Sequence, residues 1–138
     1  MAFSTPVNEV DWDGTQGQLR YRAVFDGVGQ DLTDSAVVDI SALSPAPASV
    51  KVQRLQSVIN GVYSCTLEFD ATTDQMIDQF SGQSDISNPY VMDYSGGPNR
   101  GIVPNITAAG FVGDILLTTV GAAAGNELNV VLDFHKKT

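Results

Sequence analysis

A chain of 138 residues, 43% apolar and 17% charged, has the size of one domain and can bury roughly two-thirds of the surface it exposes when unfolded. Seven basic residues against sixteen acidic ones give a net charge of −9, which argues against nucleic acid and against an anionic membrane surface as partners. One cysteine, Cys65, excludes an internal disulfide.

The first 18 residues, "MAFSTPVNEVDWDGTQGQ", have no basic start, no apolar stretch of signal-peptide length and no sustained period. They read as an N-terminal arm, with Asp11 and Asp13 around one aromatic anchor, Trp12, and the domain proper at 19–138. The chain is expected to be made in a cytoplasm, and no window approaches the 18 apolar residues of a membrane span. "LRYRAVF" at 19–25 alternates as a strand does, "DGVGQD" breaks it, and "LTDSAVVDI" resumes with β-branched residues before "SALSPAPAS" ends it.

"ASVKVQRLQSVINGVYSCTLEFD" places Asn60-Gly61 between two β-rich runs, the signal of a two-residue hairpin. In that pairing Ile59 faces Val62 and Val52 meets Phe69. The apolar phase slips between Val52 and Leu55, and a bulge near Arg54 restores it. "TTDQMIDQF" predicts one short helix near 72–80, with Met76, Ile77 and Phe80 at helical spacing. The connection from 81 to 111 is rich in proline and glycine, with a short strand around Tyr90–Tyr94; loops of this length often carry contacts. "DILLTTV" and "NELNVVLDF" are two β-rich runs around "GAAAGN", read as a terminal hairpin with lysines guarding its edge. Seven or eight such strands predict an all-β, single-domain antiparallel β-sandwich or jelly-roll-like fold.

Chemistry is sparse along this sequence. His135 is the only histidine and lies on a polar strand face, so a triad or a Cys–His pair must use it. "DWDG" opens like a calcium loop, but Thr15 and Gln16 stand where an acid or Asn and then Gly are needed. No Cys/His cluster fits zinc, and no glycine-rich loop precedes a helix. No catalytic, metal or cofactor-binding residue is nominated, and no cofactor is expected. The interface candidates are Asp11, Trp12, Asp13, Tyr90, Tyr94 and Arg100, in the arm and the long connection. Trp12, Tyr90 and Tyr94 would also suit a carbohydrate-binding sandwich, since flat rings stack on sugar faces.

Three stretches together resemble a group of small tailed-bacteriophage virion structural proteins: the arm running into "LRYRAVF", the block from "VDISAL" through "LEFDATTDQMIDQF", and "GDILLTTVGAAAGNELNVVLDFHKK". The resemblance implies a non-enzymatic capsid decoration or cement protein on the outer surface of the head, with the major capsid protein and neighbouring copies of itself as partners. A neck, tail or fibre-attachment role is the alternative that the same resemblance leaves open.

Overall fold

The computed structural model describes residues 4–25, 31–82, 89–97 and 99–137, apart from the side chains of 4–6 and 82. The break at 26–30, residues 83–88 and Pro98 of the long connection, and the first three residues of the expected arm lie outside them. Among the described residues the strands are β1 (Ser4–Trp12), β2 (Gln16–Phe25), β3 (Ser35–Val38), β4 (Val50–Asn60), β5 (Tyr63–Phe69), β6 (Gln75–Gly82), β7 (Tyr90–Asp93), β8 (Ile115–Val120) and β9 (Asn126–Lys136). A single 3-10 turn, Ile40–Ala42, is the only helical element among them. Two antiparallel sheets, β1-β2-β9-β4-β7 and β3-β8-β5-β6, form an all-β sandwich.

The core follows from alternation. Leu19, Leu132 and Leu55 lie in register across β2, β9 and β4, and none is exposed to solvent. They share one apolar cluster with Leu67, Phe69, Ile115 and Leu117 of the other layer. Fully burying a side chain of this kind contributes about 1.5–3 kcal/mol.

Two expected hairpins are instead crossings between layers. β4 pairs with β9 and β7, whereas β5 pairs with β6 and β8, so Asn60-Gly61 turns the chain from one sheet to the other. Both strands carry a full apolar face, and opposite layers let those faces meet. Of the two turn residues only Gly61 takes a left-handed φ, +133°, whereas a type I′ turn needs both. β8 and β9 likewise part company: each is an inner strand of its own sheet, and Lys136 and Lys137 guard no edge. Gly121 and Gly125 (φ +91° and +86°) make that corner, and the Asp31 carboxylate accepts from the Gly121 and Ala122 amides at 3.1 and 2.9 Å.

The helix expected near 72–80 is strand β6. A bulge where Leu67 pairs with Asp78 but Glu68 with Met76 puts both Ile77 and Phe80 inward, and that spacing of three imitates a helix. The bulge expected near Arg54 is present, between Val52 and Arg54 against β9. Of the segment expected as an arm, Ser4–Trp12 is an edge strand paired with β2, and β2 already begins at Gln16.

These connections give the sandwich two ends. One gathers the β1–β2 turn, the start of β4, the ends of β5 and β9, and the segments 39–49, 70–74, 95–97 and 99–114. Lys136 N–H donates to Thr15 O, Asp70 N–H to Asp114 O, and Val52 bridges Ile102. The other end carries the 60–62 and 121–125 corners.

Candidate functional site

A concavity among the described residues lies on the outer face of the larger sheet, at the first of these ends. It is an open groove of about 560 Å³. Alternation sets its composition: Asp11, Gln18 and Asp133 lie side by side across β1, β2 and β9 and project away from the core. Asp13, Gln16 and Gln53 complete the polar lining. Gln18 Nε2 donates to Asp133 Oδ1 at 2.9 Å, which fixes the floor.

Asp13 belongs to the turn. Its Oδ1 accepts from the amides of Thr15 (2.9 Å) and Gln16 (2.8 Å), and those bonds, Gln16's above all, hold its carboxyl below the usual range. Gly14, at φ +97°, lets the chain reverse there. Trp12 points the other way from Asp11. Its indole stacks on Phe134 (centroids 5.7 Å apart, 9° between planes), and Nε1 donates to Pro45 O at 3.0 Å. Trp12 therefore anchors β1 within this chain, and its inner face is occupied by Phe134.

The structure thus brings Asp11, Trp12 and Asp13 into one groove and borders it with Arg100. Gln53 lines the groove, and its Nε2 donates to Arg100 O at 3.3 Å. The Arg100 side chain is exposed, on a left-handed backbone at φ +53°. Tyr90 and Tyr94 go elsewhere. Both hydroxyls donate to Asp78 Oδ2, Tyr90 at 2.9 Å, and Tyr90 stacks on Phe80 at 5.1 Å. Together they clasp β7 of one sheet to β6 of the other. Desolvation and the bond to Asp78 push the Tyr90 phenol up to about 12, and Tyr94 is raised further for the same reasons.

Cys65 and His135 sit in different sheets. The thiol is wholly buried and burial pushes its pKa up, while His135 Nδ1 lies 2.8 Å from Lys136 O. Among the described residues one group of carboxylates is close enough to share a cation: oxygens of Asp34, Glu68 and Asp74 lie within 4.8 Å of one another. Exposed acids often adopt such spacing without an ion, and Asp74 already accepts from the Ala71 amide.

Charge divides by layer. All seven cations lie on the larger sheet or the segments beside it: Arg20, Arg22, Lys51, Arg54, Arg100, Lys136 and Lys137. The smaller sheet and the segments packed beside it hold eight acids and no cation among the described residues, the Arg100 part of the β7–β8 connection lying against β4 instead. Arg22 and Glu127, 2.8 Å apart, form the one ion pair found among those residues.

Sequence reasoning missed Gln18, Gln53 and Asp133 as lining residues, because β2, β9 and β4 are distant in sequence. The only available signal was the phase slip that marks the bulge beside Gln53. A scan against protein-family models, a search of curated proteins and a search of solved structures each find no match for this chain.

Proposed function

We propose that this protein is a structural component of a tailed-bacteriophage virion, and that it decorates the outer surface of the head. The observation that carries this reading is the division of charge between the layers. A cement protein needs one face that meets a shell and another that stays in solvent. The outer face of the larger sheet mixes arginines, acids and valines, as contact surfaces with polar rims do. The smaller sheet, wholly anionic among the described residues, suits the solvent side, where like charge discourages adhesion.

β1 adds a second feature. It is an edge strand, so its outer row of N–H and C=O groups can accept a strand from a neighbouring subunit. The orders β2-β9-β4-β7 and β3-β8-β5-β6, with the layer changed at every connection from β2 onward except β5–β6, support reading the fold as a jelly roll with one added strand. The partners in this reading are the major capsid protein and neighbouring copies, and many copies on a lattice make modest single contacts sufficient.

Copy number tests it. Quantitative protein analysis of purified heads is expected to find hundreds of copies per particle, and particles lacking the protein should rupture at lower temperature. A dozen copies or fewer would replace the head role with a neck or tail role, and absence from particles would overturn the reading.

A further inference from the structure

The end of the sandwich that carries the β1–β2 turn has two charged rims of opposite sign. On the larger-sheet side stand Lys51, Arg100, Lys136 and Lys137. Lys136 pairs with Val50 at the start of β4, and Lys51 Nζ donates to Asn99 O at 3.0 Å in the segment that leads to Arg100. None of the four has an ion-pair partner within 4 Å among the described residues, where Arg22–Glu127 is the pair formed. Asp13 and His135 share this rim, and Asp11, Asp133, Arg54 and Asp93 form the next row of the sheet, two residues further from the end.

On the smaller-sheet side of the same end stand Asp39, Glu68, Asp70, Asp74 and Asp114. Asp70 N–H donates to Asp114 O, and Ile40 N–H to Asp114 Oδ1 at 3.0 Å. No cation balances them. Desolvation raises Glu68, with Asp74 and Asp34 adding to the rise, and desolvation with Asp39 and Asp70 raises Asp114. Ile106 and Val112, each about half exposed, lie on this rim as well.

We infer that this end is a self-complementary surface and that its occupant is a second copy of the chain. Take a two-fold axis across the strands, between the layers and just beyond the end. It sets the cationic rim of each copy over the acidic rim of the other, so the contact forms twice. The layers are about 10 Å apart, so the two rims are separate enough to be matched individually. Ile106 and Val112 add apolar contact beside the ion pairs.

The net charge of −9 opposes this, but from a distance. An 11-residue strand spans about 36 Å, so the centres of two copies end to end lie several Debye lengths apart at 0.1 M salt, where that length is about 10 Å. Facing rims lie within one such length. A screened long-range repulsion therefore loses to a short-range match.

Sedimentation of the purified full chain tests this without any phage component. At 0.1 M salt the expected species is a dimer of twice the 14.6 kDa chain mass, and 1 M salt should weaken it at least about tenfold. The variant Lys136→Glu/Lys137→Glu should be monomeric, and Glu68→Lys/Thr73→Lys should dimerise more weakly than wild type, each with a wild-type circular dichroism spectrum. A wild-type monomer at 0.1 M salt, or a dimer indifferent to both sets of substitutions, would overturn the proposal. A failure here leaves the virion reading standing, because copy number in heads is measured separately.

Discussion

Gly17 shows how much can depend on one hydrogen atom in place of a methyl group. A Cβ there would fall 2.5 Å from Phe134 Cζ, in the space where that ring reaches Trp12. Gly17→Ala must therefore push the ring off the indole, and is expected to cost about 1–3 kcal/mol in denaturant unfolding. Gly96→Ala, with nothing within 4 Å, is the control and should change stability little. Glu68 makes a pH prediction. Its carboxyl is raised above the ordinary 4.5, by desolvation first and then by Asp74 and Asp34, so the folded chain holds that proton more firmly than the unfolded one. The stability this provides is complete below pH 4.5 and lost as pH rises through the folded value. Glu68→Gln should flatten this slope and leave the variant more stable than wild type at pH 7. Asp13 and Asp93, both lowered, act oppositely and in a separate window, losing their contribution as pH falls below about 3.8. The special role of Gly17 was not legible in the sequence, which offers no hint that Phe134 crosses above it.

Single strands were more legible than their neighbours. Alternation and β-branched runs located β2, β4, β5, β8 and β9, because a half-buried strand repeats every second residue and its pleated surface suits branched side chains. Alternation failed at β6, where a bulge replaced the period of two by a step of three, and the same device at Val52 and Leu55 was recognised only because long β runs flank it. Of the candidate groove, Asp11, Trp12 and Asp13 were readable as one short polar stretch around an aromatic. Gln18, Gln53 and Asp133 were not, since nothing local tells a strand which partner it will take. The β6–β7 clasp carries its own prediction. Tyr94→Phe removes one hydroxyl from Asp78 and should cost about 1 kcal/mol, given a half-buried site. Amide exchange on β7 should quicken in that variant, and combining it with Asp78→Ala should add less than the two separate effects. Truncation before Asp13 should likewise lower the unfolding midpoint, because Trp12 shields Phe134.

For the molecule as a whole, the division of charge is the property that local reading could not supply. The sequence scatters seven cations from Arg20 to Lys137, and only the strand order collects them on one sheet. If that sheet meets the shell, Arg20→Glu on its outer face should lower incorporation into heads several-fold. Thr66→Glu, on the outer face of the other sheet, should leave incorporation unchanged. Equal losses from both would remove the assigned orientation.

The order β2-β9-β4 has a kinetic consequence. The strand that separates β2 from β4 is the last of the nine described strands to be made, so neither finds that shared neighbour until the other described strands have emerged. Apart from β1–β2 and β5–β6, no two successive strands can zip together as they emerge. Loop closure over long spans must come before most pairings, so refolding should take milliseconds to seconds, and the nascent chain must keep its apolar rows from strangers until β9 slots between them.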